Sequence, residues 1–450
     1  MEKLDGEVGV TVKNDAEMKE LERSLYALID ANFEAQLAET REVLHVRGVP
    51  DSGGERPSGV EGPLDDLLHR AQRMGFLTKN IDSDVGCVEM GEGALTGIWA
   101  RLPGGDGSVV DEPGAADDRG TAVAFLYAMK ALRDSGLPLR RRFRLILGPD
   151  GGGSRCISRY ACTEAQPILS FSPDAELSVI NAEQGILRVT ISQSAPIEAN
   201  GGTELIGLNG GDRFNEVPEL AEAVIRCDAE EWEAIIAACR DLDVLLEGPS
   251  EVKITARGAA HATEPEKGGN AVQKLLWRLA DLDFCRADGM LIDAVCRMAG
   301  QGHSGDGLGI ESRDGVPLTC NLAAVRMEAN ETRKTKTVLM KLDIRYPVTF
   351  TPDDVIGNMK KAATEAGAEL VVNTHKPPLY IPESHESVQT LLNACRATAE
   401  RPLSVKGRAR SMPDPANQAG ENEAGLRDVT HTYAEALVRI NESGPRSSDP

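Results

Sequence analysis

The sequence has no C-x-x-C pair, no basic excess, no apolar run of bilayer length and no internal repeat, and each absence removes a class of function. Nine cysteines are present (Cys87, Cys156, Cys162, Cys227, Cys239, Cys285, Cys296, Cys320, Cys395), an odd number at irregular spacing. That pattern argues against a disulfide framework and against a structural zinc site, so reduced and mainly buried thiols are expected. Acidic residues outnumber basic ones by 71 to 49, a net charge of −22. A field of that sign repels phosphate backbones, so nucleic acid is not an expected partner. No apolar stretch approaches the ~20 residues that span a bilayer, so no membrane partner is expected either. The opening MEKLDGEVGV has no basic segment followed by an apolar one, and the expected location is cytoplasmic. Gly104-Gly-Asp-Gly107 and Gly151-Gly-Gly153 lack the spacing of phosphate-binding loops.

What is present is an ordinary globular balance, 41% hydrophobic and 27% charged over 450 residues, enough for two or three domains with real cores. Residues 17–47 read as a long amphipathic helix, residues 50–63 as a Gly/Pro/Ser loop and Leu64–Met74 as a second helix. Short strands follow near Gly86–Val88 and Leu95–Trp99. Asp118-Arg-Gly-Thr-Ala opens a helix with an acidic N-cap and an apolar body from Val123 to Leu132, stopped by Gly136 and Pro138. Phe143–Gly148 reads as an inner strand. Helix followed by buried strand points to an α/β sheet with crossover connections, whose strand ends carry the ligands.

After Gly185 the pattern becomes α+β. Leu187–Ser192, Val252–Ala256, Val338–Tyr346 and Glu369–Thr374 read as strands. Asp228-Ala-Glu-Glu231 has capping-box spacing before a helix over Trp232–Leu242. Val272, Leu275, Leu276, Leu279 and Leu282 share one helical face, and Thr351-Pro352 opens another helix. Val388–Thr398 and Asp428–Ile440 are helical again, and residues 442–450 form a tail.

Several phrases, in order from about residue 20 to 440, resemble the PepV-like metallodipeptidases, relatives of carnosinase within the co-catalytic zinc aminoacylase and carboxypeptidase group. They are Gly75–Gly86, Ala116-Asp-Asp-Arg-Gly120, Phe171-Ser-Pro-Asp-Ala175, Ile180–Gly185, Asn215-Glu-Val-Pro218, Gly258-Ala-Ala-His261 with Glu264–Gly268 and Asn270-Ala271, and Asp343-Ile-Arg-Tyr-Pro347. The resemblance implies an α/β fold. A catalytic-type domain with a mixed sheet flanked by helices, residues 1–185 and 377–450, is interrupted by an inserted α+β lid domain, residues 186–376. It implies a divalent metal, zinc or manganese, as cofactor, a small peptide with a free carboxylate as substrate, and a monomer.

In such enzymes two ions clamp and deprotonate a water while a glutamate shuttles its proton to the leaving amine. The family supplies a His-x-Asp pair, a bridging Asp, a Glu-Glu pair, a second Asp and a late His. Here the bridging position is Asp117, with Arg119 in place of a lysine, and the second Asp is Asp174. Ile98–Pro103 holds neither His nor Asp, Gly151 and Gly152 stand at the Glu-Glu position, and Asn417 stands near the late His. In the lid, Asn215, His261 and Arg345 match positions that reach the bound peptide, Arg345 for its carboxylate and His261 for the oxyanion. Read without the resemblance, Asp117 and Asp118 are helix caps, Asp174 is a turn residue, and Arg345 faces solvent or pairs with Asp343. His45, His69, His375 and His431 read as surface or satisfied core residues and His385 as exposed. His303 has His-x-x-Asp spacing to Asp306 but lies deep in the lid segment. Two functions follow: a metallodipeptidase with a shortened ligand set, or a non-catalytic peptide- or partner-binding pseudoenzyme on the same scaffold.

Overall fold

The computed structural model describes residues 15–46, 62–102, 118–148, 154–172, 179–197, 202–258, 269–300, 303–310, 318–398, 406–408 and 423–443. The chain divides into two units: Met1–Val179 with Pro382–Lys406 and Pro413–Pro450, and Ile180–Ile381 with Gly407–Met412.

The first unit is built on β1 (Leu77–Ile81), β2 (Val85–Met90), β3 (Ala94–Arg101), β4 (Arg141–Gly148) and β5 (Leu169–Phe171), in the order β1-β2-β4-β3-β5. β3 runs parallel to β4 and β5, whereas β2 is antiparallel to β1 and β4, so the sheet is mixed. The apolar run of β4 is explained by its position: Phe143, Leu145, Ile146 and Leu147 are wholly buried, with helices on both faces. One face is covered by helices Asp15–His45, Pro63–Arg73, Asp118–Asp134 and Glu423–Glu442. The helix Asp118–Asp134 stops where the sequence places its breaker, at Gly136 with φ +71°. The opposite face carries helix Ser154–Thr163, whose Cys156 and Tyr160, one turn apart, pack on Ile81, Val85, Cys87 and Ile146. Beside them the buried Arg144 donates to Tyr160 Oη at 2.9 Å and Glu164 at 3.1 Å and pairs with Glu89, so its charge is compensated.

The second unit contains β6 (Ile180–Glu183), β7 (Gly185–Pro196), β8 (Glu204–Gly210), β9 (Leu220–Arg226), β10 (Asp243–Leu246), β11 (Glu251–Arg257), β12 (Thr319–Asn330), β13 (Thr335–Tyr346), β14 (Glu369–Lys376) and β15 (Leu379–Tyr380). Eight of these form one sheet, β10-β11-β9-β8-β12-β13-β7-β14, with antiparallel neighbours throughout. β6 pairs with β15, which keeps Ile180–Glu183 and Leu379–Tyr380 together in this unit. Helices Ala271–Ala280, Arg286–Ala299 and Pro352–Glu365 cover one face of the large sheet. Val272, Leu275, Leu276 and Leu279 are buried there as one stripe over β9, β11 and β12, in the same core as Val338, Met340, Leu342 and Ile344 of β13. Helix 271–280 is capped by Asn270, which accepts from the backbone of Val272 and Gln273, and helix 352–365 by Thr351 with Pro352 in its first turn. The helix expected over Trp232–Leu242 ends earlier, at Ala238. Leu242 N–H instead turns back to Cys239 O at 2.9 Å and leads into β10.

All nine cysteines are free, and five are buried. Burial pushes the thiols of Cys87, Cys296 and Cys320 up to about 12, which disqualifies them as thiolate nucleophiles at neutral pH. Among the described residues, no helix is long and apolar enough to cross a membrane.

Candidate functional site

In the first unit the parallel strands β3, β4 and β5 end at Arg101, Gly148 and Phe171, so their carboxyl ends lie along one edge of the sheet. Open α/β sheets bind their ligands at this edge. Asp174 follows the end of β5 by three residues and Asp117 directly precedes helix Asp118–Asp134, and both lie outside the described residues. Gly151, Gly152 and Asn417 also lie outside them.

The end of β3, where the resemblance places a His-x-Asp pair, is filled by packing groups. Trp99 lies edge-on to Tyr160 at 5.1 Å, Ala100 and Leu102 are buried, and Leu102 N–H donates to Gly148 O at 2.8 Å. Arg119, at the position of the family's lysine, is buried and donates to Val46 O at 2.8 Å and Leu44 O at 3.4 Å. It thereby caps the carbonyl end of helix Asp15–His45.

Among the described residues, no three His, Cys, Asp or Glu side chains gather closely enough to hold an ion. The described histidines have other partners. His375 Nε2 is 2.6 Å from Tyr346 Oη, His45 Nδ1 is 2.6 Å from Arg41 O, and His431 stacks on Tyr26 at 4.4 Å. His303 sits in a turn, with its carbonyl accepting from Cys320 N at 2.7 Å and Asp306 accepting from Ser304 Oγ at 3.0 Å. The described residues therefore do not supply the imidazole-and-carboxylate set that a zinc pair requires.

The second unit gathers the lid residues on the sheet face turned away from its helices. Register sets Asp343 opposite Arg188, Lys341 opposite Thr190 and Asn321 opposite Asp343. Alternate positions share a face, so Lys341, Asp343 and Arg345 of β13 line up on one side. Arg345 Nε lies 2.8 Å from Asp343 Oδ1 and its Nη2 donates to Oδ2 at 3.2 Å; Arg188 Nε reaches the same Oδ2 at 3.0 Å. The pairing with Asp343 is thus the one Arg345 adopts.

The loop holding Asn215, which is exposed, is pinned over this face at two points. Lys341 Nζ donates to Asp212 O at 2.8 Å, and Asn321 Nδ2 donates to Glu216 O at 2.8 Å. His261 lies outside the described residues, but both stems of its segment attach next to that loop. Gly258 N donates to Glu219 O at 2.8 Å and Ala271 N to Pro218 O at 3.0 Å. A Cβ on Gly258 would meet Gly269 O at 2.6 Å and Pro218 O at 2.8 Å, so only glycine lets the stems close. The structure thus brings Asn215 and Arg345 to one face and roots the segment of His261 beside them.

Sequence reasoning missed Arg188, Asn321 and Lys341. Their signal was available: each is a polar side chain in a strand whose other alternate positions are apolar, as with Arg188 between Leu187 and Val189.

Gly211 starts the pinned loop with φ +67°, and a Cβ there would meet Ala323 O at 2.1 Å. Gly211→Ala is expected to cost about 1–3 kcal/mol through left-handed strain and backbone displacement, read as a lowered midpoint in urea unfolding. An unchanged midpoint would show that the loop is not held against β12.

No family model matches the chain. It is 30% identical over 388 residues to the Bacillus subtilis (strain 168) protein named "Putative dipeptidase YtjP", an alignment covering 79% of this chain and 82% of that relative. Among solved structures it is similar to an aminopeptidase PepT from Bacillus cereus ATCC 10987, with a TM-score of 0.51 at 13% identity over 90% of this chain and 99% of that one. A tripeptidase from Staphylococcus aureus subsp. aureus Mu50 gives a TM-score of 0.52 at 10% identity, over 92% and 99%. These two establish the fold, a sheet domain with a lid, and the first relative establishes the lineage. The chain belongs to the PepV-like, carnosinase-related metallodipeptidase family.

Proposed function

We propose that this protein binds small peptides with a free terminal carboxylate through the face carrying Arg345, and that its hydrolytic half is reduced to the point of little or no turnover. The observation that carries this reading is the contrast between two strand ends. β13 presents Arg345, fixed by Asp343 and flanked by the loop of Asn215, whereas the end of β3 carries Trp99 and Ala100, with Leu102 just beyond, in place of metal ligands. Of the five metal-holding side chains the family implies, Asp117 and Asp174 remain. Two carboxylates without imidazole suit magnesium, calcium or manganese better than zinc. His261 belongs to the same reading, as the donor that meets the peptide carbonyl.

A second reading is favoured by the 30% identity to a relative named as a dipeptidase: a working hydrolase that recruits Asp106, Asp111, Glu112 or Glu421 as substitute ligands. Dipeptide hydrolysis with added manganese or zinc, in wild type and Asp174→Ala purified identically, separates the two. The expected result is equal, near-background rates. In the same preparations a bound dipeptide at about 100 times its Kd should raise the unfolding midpoint by roughly 5 °C or more, by mass action on the folded state. Substantial wild-type turnover that vanishes in Asp174→Ala would overturn the first reading and establish a complete metal site.

A further inference from the structure

We propose that Arg188 is a second guanidinium in the carboxylate-binding site, forming with Arg345 a two-armed clamp on the peptide's terminal carboxylate, with Asp343 as the positioning residue between them. The inference rests on the reading of Arg345 as a peptide-carboxylate ligand, and adds a residue and a geometry to it.

Asp343 has a side chain only 6% exposed, and it is contacted by two arginines. One guanidinium already neutralises a carboxylate, and Arg345 meets both oxygens of Asp343 on its own. Arg188 adds a bond to Oδ2 and leaves the group with one positive charge in excess. Among the described residues neither arginine meets another carboxylate. The Arg188 and Arg345 side chains are 30% and 17% exposed, so the surplus charge is partly desolvated. Holding a partly desolvated, uncompensated charge is costly unless an anion arrives to share it.

The donor geometry points the same way. Each guanidinium carries five N–H donors in a rigid fork. Asp343 takes Nε of Arg188, and Nε and one Nη2 hydrogen of Arg345. Neither Nη group of Arg188 nor the Nη1 of Arg345 makes a hydrogen bond to Asp343. The two arginines occupy diagonal positions on adjacent strands, because Arg188 lies opposite Asp343 and Arg345 opposite Ile186. Diagonal neighbours are ~7–8 Å apart at the backbone, within reach of long side chains. Two forks converging on one buried carboxylate therefore present their spare donors together, the arrangement a second, incoming carboxylate needs. This placement follows from the register of β7 against β13 alone.

Calorimetric titration of L-alanyl-L-alanine and of its C-terminal amide tests the clamp, because the two differ only in the carboxylate. The proteins are wild type, Arg188→Gln, Arg188→Lys and Arg345→Gln, each checked for an unchanged unfolding transition. Arg188→Gln is expected to weaken the acid roughly ten- to thirty-fold, and to leave the amide within about two-fold of wild type. Arg188→Lys should restore part of the acid's affinity, since charge returns without the fork. A purely structural arginine would move acid and amide together, which would overturn the proposal. Arg188→Gln binding the acid as wild type does, while Arg345→Gln does not, would overturn the role of Arg188 and leave that of Arg345 standing. A wild type that binds neither ligand, or both equally, would overturn the carboxylate reading itself and the clamp with it.

Discussion

Lys336→Met is expected to destabilise the second unit by about 3–5 kcal/mol, the largest single-residue effect anticipated for this chain. Lys336 Nζ lies 2.7 Å from Asp288 Oδ2 and 2.9 Å from Leu205 O, and the same Oδ2 accepts from Leu205 N at 2.8 Å. The two side chains are 6% and 0% exposed. Methionine preserves the length and bulk of lysine while removing its charge, so the cost isolates the ion pair from packing. Asp288 would then be a buried carboxylate with one backbone donor and no counter-charge. The double variant Lys336→Met with Asp288→Leu removes both charges and is expected to recover much of the loss, although Leu205 N loses its acceptor. Urea unfolding of the two single variants and the double variant measures the coupling. Additive losses in that cycle would show that the pair is not energetically coupled.

Between pH 4.5 and about 7 the first unit is expected to lose up to roughly 3 kcal/mol of stability, and Glu435→Gln is expected to flatten that slope. Glu435 is wholly buried on helix Glu423–Glu442, and burial pushes its carboxyl from the ordinary 4.5 to about 7. The Arg439 guanidinium, 2.5 Å from Glu435 Oε1, opposes that rise, and Glu22 of the N-terminal helix reinforces it. Arg439 also reaches Glu22 Oε1 at 3.2 Å, and Tyr26 lies in the same field, its phenol raised by burial and by both carboxyls. Burial, reinforced by the neighbouring Glu22 carboxylate, keeps the Glu435 carboxyl partly protonated near neutral pH. Because the folded value lies above the unfolded one, the contribution is complete below about 4.5 and disappears as pH rises through about 7. Thermal unfolding of wild type and Glu435→Gln across pH 4.5–8 reads this directly. Parallel curves for the two proteins would assign the proton elsewhere.

Legibility in the sequence followed the clarity of the local signal. The helix at Asp118 carries an acidic start, an unbroken apolar body and a glycine stop, and it spans Asp118–Asp134 as those marks require. The stripe Val272–Leu279 and the alternation in β13 were equally plain, since burial of one face imposes a period that composition cannot hide. Helix Ser154–Thr163 was not anticipated: it is ten residues long, follows a glycine run, and anchors mainly by Cys156 and Tyr160. β8, Glu-Leu-Ile-Gly-Leu-Asn-Gly, was missed because two glycines dilute its strand character. Gly210 is demanded by packing, since a Cβ would meet Val272 Cγ2 at 2.7 Å and Ala221 Cβ at 2.8 Å. For the site, ordered phrases identified the family, and they singled out Asn215 and Arg345 as individual residues. They were silent on Arg188, whose role depends on which residue of a distant strand stands opposite it, and cross-strand register is not written in either strand alone.

The division of the first unit between distant parts of the chain has a consequence for its birth on the ribosome. Helix Glu423–Glu442 places Tyr433 against Phe125 at 5.0 Å and contributes Leu426, Val429, Leu437, Val438 and Ile440 to a core whose other fully buried residues all precede Gly148. The intervening unit, Ile180–Ile381, has its large sheet complete once β14 has been made. At about 5–20 residues per second, the nascent first unit waits roughly 15–55 s between the synthesis of β4 and the arrival of that helix. Throughout that interval the apolar flank of Asp118–Asp134 has no cover from its final partner, so the middle of the polypeptide matures before its beginning. A stop codon a few residues before Leu426 would leave that flank of the core without its cover.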